Sequence, residues 1–390
     1  MASYISSNNN RFYVAAEPNF GAAAAIASQN RFPAVKLSAK QQPEKVQRKD
    51  KTGSRTFVGL PVGIRKQTSY ELSTYMTDWT TTSQAPGYGP LFQAALGRAP
   101  QTYTGGNVAS VTGNTQVEFS GAHGLSVGQA VTFEGEIRFV SAVANTTEVI
   151  LNAPFSNTLG AGAAVGATVT YAPANALPSN TIFDYWDPST AVHRVLVGAA
   201  VDKMDVKING DFHEFTFGGP AADVLDSSSF TSGEGSLTQF PPEPALAPFD
   251  YTIIPGHLGQ VWLGNVPNQF FTLTSASVSL SNSLDVRNHE FGSDLPRAVV
   301  PGERAVTMDL SLFQQDDAAT PALYQAARQR SPISVMFQLG QLNGQLFGIY
   351  MSNLVPEVPQ YDDSETRLQW KFQGSRAQGS LDNELFIAFG

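Results

Sequence analysis

Apolar and polar residues alternate with a period of two along much of this chain, the mark of half-buried strands. The clearest run covers 68–76. There Tyr70, Leu72 and Thr74 fall on one side, and Ser69, Glu71 and Ser73 on the other. A second run, 306–313, puts Val306, Met308, Leu310 and Leu312 on one side and Thr307, Asp309 and Ser311 on the other. Further strands are expected at 271–280, 304–313, 333–339, 345–351 and 366–373. Two segments read as short helices. One, about 90–97, opens at Pro90 and stops at Gly97; the other lies near 320–329. Asn209-Gly210 and Asn343-Gly344 each sit between strand runs and predict tight hairpins.

These elements occur twice in the same order. Phe57, Leu60 and Pro61 precede the first alternating run; Phe291, Leu295 and Pro296 precede the second. Phe92-Gln93-Ala94-Ala95 matches Tyr324-Gln325-Ala326-Ala327 at a separation of 232 residues. His213-Glu214-Phe215-Thr216-Phe217 matches Leu368-Gln369-Trp370-Lys371-Phe372 at a separation of 155. The first copy therefore holds 77 extra residues between these landmarks. Residues 104–175 have that size, with short Val/Thr/Phe runs broken by Gly, Asn and Pro, the pattern of a small all-β module.

The expected fold is mainly β: two tandem β-sandwich or barrel domains, each with a short flanking helix, plus a small inserted all-β module. The expected boundaries are an extended N-terminal arm at 1–50, a discontinuous first domain at 51–103 and 176–260, the insertion at 104–175, and a second domain at 261–390. The insertion is expected to project outward, and 219–260 reads as a Ser/Gly/Pro-rich linker.

Composition narrows the function classes. Charged residues make up 15% of the chain, which suits a surface largely covered by other copies. There is no cysteine, hence no disulfide framework and no thiolate zinc site; this fits a reducing cytoplasm. No run reaches the ~20 apolar residues of a membrane helix, and no signal-peptide pattern opens the chain. Residues 1–51 carry eight Lys/Arg against three Asp/Glu, while the rest carries 16 against 30. A basic arm on an acidic body either contacts a neighbouring copy or is a solvated leader.

Catalytic patterns fail on context. The five histidines show no metal-ligand spacing. Gly124-Leu125-Ser126-Val127-Gly128 has the letters of a nucleophile elbow, but a strand run and not a helix follows it. Gly160-Ala161-Gly162 with Gly166 lacks dinucleotide-loop spacing. Asp362-Asp363 lies in a turn context. No enzyme activity and no cofactor are expected. One constellation is repeated: each alternating run shows a small-polar face with a carboxylate at its centre, Glu71 between Ser69 and Ser73, and Asp309 between Thr307 and Ser311. That face is either ordinarily solvated or lines a passage.

Leu284-Asp285-Val286-Arg287, Glu290 to Arg297 and Pro301-Gly302-Glu303-Arg304 closely resemble the tail tube (major tail) proteins of long-tailed bacteriophages. Gly89-Pro90-Leu91-Phe92, Ser179 to Phe183 and Glu214 to Gly218 agree with that likeness, which covers roughly 50–100 and 178–390. The resemblance implies tail-tube-type domains whose sheets join edge to edge into rings. The rings stack around a tape-measure protein, end at a tail-terminator protein and let DNA pass through the lumen during ejection. It also implies a virion structural protein assembled in the host cytoplasm, with no membrane partner. Two such domains per chain predict a homotrimer forming a pseudo-hexameric ring, with Glu71, Asp309, Ser69, Ser73, Thr307 and Ser311 facing the lumen. The alternatives are another virion component, such as a terminator or decoration protein, a β-rich glycan-active enzyme, or a carbohydrate-binding insertion.

Overall fold

The computed structural model describes residues 4–390 apart from 45–49, 57–58, 60–63, 80–81, 247–250, 265 and 365. Phe57, Leu60 and Pro61 lie outside the described residues. The first repeat begins with β1 (Asn10–Ala16), β2 (Arg31–Phe32), β3 (Ala34–Pro43), β4 (Lys66–Tyr75) and helix α1 (Gly89–Leu96). The insertion contributes β5 (Gln101–Tyr103), β6 (Gly106–Thr112), β7 (Gln116–Phe119), β8 (Ala130–Phe133), β9 (Glu136–Val143), β10 (Glu148–Leu151), β11 (Ala164–Val165) and β12 (Thr168–Tyr171). The first repeat resumes with β13 (Asn180–Trp186), β14 (Arg194–Ala199), β15 (Lys203–Ile208), β16 (Glu214–Ala221) and β17 (Asp223–Asp226). The second holds β18 (Gly259–Leu263), β19 (Asn268–Gln269), β20 (Leu273–Ser281), β21 (Asp285–Val286), β22 (Val299–Val300) and β23 (Ala305–Phe313). It continues with α2 (Ala319–Gln329), β24 (Ile333–Leu339), β25 (Phe347–Val355), β26 (Gln360–Asp362), β27 (Gln369–Ala377) and β28 (Phe386–Phe389).

Both repeats wind the same way. One sheet of the first repeat runs β17-β14-β13-β1-β2; in the second, β28-β25-β24-β18-β19 hold the same order. The other sheet runs β3-β4-β16-β15, matched by β20-β23-β27-β26. Register agrees to the residue. Leu72 lies opposite Phe217, and Leu310 opposite Phe372; Thr74 lies opposite Phe215, and Leu312 opposite Trp370. Phe217 to Phe372 and Phe215 to Trp370 keep the 155-residue spacing read from the sequence. β15 then pairs with β20, so the two four-strand halves form one eight-strand ribbon inside the chain.

Local signals explain the elements. Asn209 takes a positive φ of 61° in the turn between β15 and β16. Gly344 takes +82° between β24 and β25. α1 starts with Pro90 in its first turn, and the N–H of Gly97 at its end returns to the Gln93 carbonyl. α2 starts where Asp317 Oδ1 accepts from the Thr320 N–H at 2.8 Å. Residues 10–43, expected as part of an arm, contain three strands paired within this chain: β1 with β13, β2 with β1, and β3 with β4.

One core runs through both repeats. Its hub is Phe92 of α1, whose ring meets Phe215 at 5.2 Å and Phe217 at 5.1 Å in the first repeat. The same ring meets Phe347 at 5.5 Å and Phe389 at 5.3 Å in the second. A separate cluster on the far face of the first repeat's β17–β2 sheet is covered by its own neighbours. Phe20, Ile26, Phe230 and Phe240 pack on Tyr13, Phe183 and Tyr185. Part of the expected linker is thus a strap, pinned where Glu243 accepts from Arg11 Nη2 at 2.7 Å and from Tyr13 Oη at 3.0 Å.

The insertion does not project freely. β12 pairs with β28, and β8–β9 lie on the second repeat through Ile137, Phe139, Met336 and Tyr350. Arg138 is fully buried at this seam. Its guanidinium donates to Gln338 Oε1 at 3.1 Å, Gln260 Oε1 at 3.0 Å and Glu136 Oε2 at 2.8 Å. Burial pulls the Arg138 pKa down to about 10, against the Glu136 charge, so it stays charged at neutral pH. Burial works against the Glu136 carboxylate, but the Ser156 hydrogen bond and the Arg138 charge outweigh it and leave its pKa below the ordinary value. A carboxyl shifted that way stabilises the fold above its unfolded pKa and loses this contribution as pH falls through its folded one.

Arg138→Ala removes the guanidinium's buried hydrogen bonds and leaves the Glu136 carboxylate without its countercharge. It is expected to cost about 3–5 kcal/mol. Arg138→Met should cost less in the variant that also carries Glu136→Gln, because no unpaired charge then remains. Urea unfolding followed by tryptophan fluorescence checks this, since Trp262 lies 5.2 Å from the guanidinium. An unchanged midpoint in Arg138→Ala would contradict the account.

Candidate assembly surface

The eight-strand ribbon has one apolar face and one polar face. Tyr70, Leu72, Met308 and Leu310 point into the shared core. Ser69, Glu71, Ser73, Thr307, Asp309 and Ser311 therefore all lie on the opposite, outward face. Glu71 and Asp309 are exposed and hold equivalent places: Glu71 lies opposite Ser38, and Asp309 opposite Ser277. Their surroundings differ. Asp309 Oδ1 accepts from the Gly374 N–H at 2.6 Å, where the β23·β27 register shifts. That hydrogen bond makes Asp309 part of the bulge as well as of the face.

Cross-strand register places further charges on this face that pattern reading did not bring together. Lys36 and Lys40 lie opposite Ser73 and Ser69. Lys203, Asp205 and Lys207 lie opposite Gly218, Thr216 and Glu214. Lys371 and Arg376 lie opposite Ser311 and Thr307, and Asp362 opposite Gln369. Among the described residues of the eight strands, six cations face five carboxylates here, so the polar face is close to neutral. Between the charges stand Ser275, Ser277, Ser279 and Ser281 of β20, and Ser279 Oγ donates to Asp205 Oδ1 at 2.5 Å.

The motif at 284–304 forms an arm built on β21 and β22. Its root is fixed by the Leu284 N–H to Asp202 Oδ1 at 2.9 Å, and by Arg304 to Glu384 at 2.6 Å and to the Ala174 carbonyl at 2.7 Å. The arm folds back over the first repeat, with the Lys66 N–H donating to the Asp294 carbonyl at 2.9 Å. Arm and polar face enclose an open cleft of about 590 Å³ lined by Lys40, Glu71, Lys203, Val286 and Pro296. Phe291 stands fully exposed on the arm.

The ribbon ends in two strands with one partner each. β3 pairs with β4 alone, and β26 with β27 alone, among the described residues. The helices are unequal in a related way. α1 buries Leu91, Phe92, Ala94, Ala95 and Leu96, whereas α2 buries Thr320, Leu323 and Ala327. Tyr324, at the place of Phe92, meets Trp370 at 5.5 Å as Phe92 meets Phe215. Tyr324 also meets Tyr361 at 6.4 Å, whereas Phe92 carries Phe347 and Phe389 of the other repeat as well.

The other candidate chemistry falls into ordinary structure. Gly124 to Gly128 lie in a loop and turn before β8. His213 is buried, which lowers its pKa, and its Nε2 lies 3.1 Å from the Leu258 carbonyl. Among the described residues there is no group of three or more His, Asp or Glu placed to hold a metal ion, and no helix is long and apolar enough to cross a membrane.

No curated protein matches the chain. A solved structure of the SPP1 tail tube covers 33% of this chain and 81% of its own, at 15% identity and a TM-score of 0.24, a likeness too distant to carry an argument. The family profile for phage tail tube proteins matches residues 7–371. A match over that span takes in both repeats and the insertion, and with it the chain belongs to the phage tail tube protein family.

Proposed function

We propose that three copies of this chain close head to tail into a ring of six tube domains, with the polar face lining the lumen. The supporting observation is the ribbon itself: two equivalent half-sheets joined through β15 and β20, ending in one free strand at each end. Open strand edges invite further pairing, and ring closure uses them up. A head-to-tail contact closes when its rotation fits. Stacked rings give the virion tail tube, assembled in the host cytoplasm around the tape-measure protein and ended by a terminator. The expected N-terminal arm enters this reading through its edge strand, β3.

The face suits a conduit for DNA. Serines and threonines offer no platform for base stacking, and near-balanced charges give phosphates no continuous cationic track. Ser69, Glu71, Ser73, Thr307, Asp309 and Ser311 are the lumen-facing residues in this reading. This reading gives the surface a structural role.

Images of assembled tubes should show three chains per ring, each contributing two similar lobes; six chains per ring would refute the trimer. Glu71→Lys combined with Asp309→Asn keeps an acceptor for the Gly374 N–H and makes the face cationic. Tubes should still assemble, while DNA release from virions slows severalfold at low salt and recovers as salt rises. Release kinetics identical to the unmodified virion at low salt would remove the luminal placement.

A further inference from the structure

The joint inside the chain specifies the joint between chains. Tyr361 lies opposite Trp370 as Val206 lies opposite Phe215, so Tyr361 and Val206 are equivalent. Ala39 lies opposite Tyr70 as Val278 lies opposite Met308, so Ala39 and Val278 are equivalent. Within the chain Val206 faces Val278, Lys207 faces Ser277 and Asp205 faces Ser279. Resting on the ring reading above, we propose that β26 pairs antiparallel with β3 of a second copy in this transposed register. Tyr361 then stands opposite the next copy's Ala39, Asp362 opposite its Ser38, and Gln360 opposite its Lys40.

Three features fit this joint. Tyr361 is 57% exposed at the edge of the core layer, and Ala39 is a small partner that leaves room for its ring. Asp362 would sit diagonally between Lys36 and Lys40, within reach of both across antiparallel strands. In the internal joint that position is Lys207 beside serines, so charge distinguishes the two joints. Pairing β3 with another β3 would bring lysines together, and pairing β26 with another β26 would bring Asp362 and Asp363 together; both self-joints are penalised. Finally, α1 is covered by Phe347 of β25 and Phe389 of β28 from the following repeat. The following repeat for α2 is that of the next copy, whose β14 and β17 hold the equivalent places. The half-bare flank of α2 and the free edge of β26 are thus completed together.

The cysteine-free chain allows a direct test. Ser38→Cys with Asp362→Cys, oxidised in assembled tubes and then denatured, should give covalent species ending at a closed three-chain ring. Ser38→Cys with Tyr361→Cys, on opposite faces, should give none. Tubes that assemble without the first cross-link overturn the register and leave the ring reading standing. Failure of the unmodified chain to make rings under conditions that assemble tubes overturns the ring reading itself. Asp362→Lys alone should abolish ring closure, and adding Lys36→Asp and Lys40→Asp should restore it. Rescue separates the joint from the local pair of Asp362 with Lys371. Undiminished assembly of Asp362→Lys, or no rescue, overturns the proposal.

Discussion

A strand carries hydrogen-bonding groups along both sides, and an eight-strand ribbon that stops inside a chain leaves two rows of them unmatched. Everything else in this protein is arranged around that condition. The β15·β20 pairing extends the ribbon across two repeats, and its six residue pairs join them strand to strand. Because the repeats share topology and register, the ribbon's two outer strands hold the places that β15 and β20 hold at its centre. In the proposed ring, closure into a cylinder removes these edges without a covering residue from the chain itself.

The remaining surfaces are handled differently. The far face of each outer sheet must also be shielded, and the two repeats achieve this with unrelated material. The first uses its own neighbours, Phe20, Ile26, Phe230 and Phe240. The second uses the insertion, locked down by the buried Arg138. A module inserted in the first repeat therefore serves the second as a cover. Its entry and exit strands, β5 and β12, extend the second repeat's sheet by pairing in sequence onto β28. The repeats can share one ribbon geometry while diverging on the outside, where no equivalence is needed.

Much of this was legible in the chain. β4 and β23 are half-buried strands and show strict alternation, the two Asn-Gly turns form hairpins, and the 155-residue offset is the true cross-strand equivalence. The first strands were not. β1 buries Phe12, Tyr13, Val14 and Ala15 in succession, since both its faces are covered, so it has no period of two. β3 is an edge strand with a weak pattern, and β28 has four residues. The candidate luminal residues were found where alternation is clean. Their cationic neighbours, Lys36, Lys203 and Arg376, come from other strands, and face membership across strands depends on register, which no local pattern encodes. Nor does any local signal announce that Arg138 meets Gln260 and Gln338, 122 and 200 residues away.

Duplication also changes the thermodynamics of closure. When each chain carries one unit, every joint in a ring is an association between separate molecules and carries the loss of translational and rotational freedom. Joining two units in one polypeptide makes every second joint intramolecular, formed at folding and independent of chain concentration. The joints that remain can then be individually weaker without the ring failing. They are also free to become chemically distinct, because a joint that exists once per chain need not be self-compatible. In the proposed joint, Asp362 at the place of Lys207 faces an edge that carries Lys36 and Lys40, the outcome expected of that freedom. In that reading the joint inside the molecule sets the charges of β15 against the serines of β20, while the joint between molecules is charge-matched and salt-sensitive.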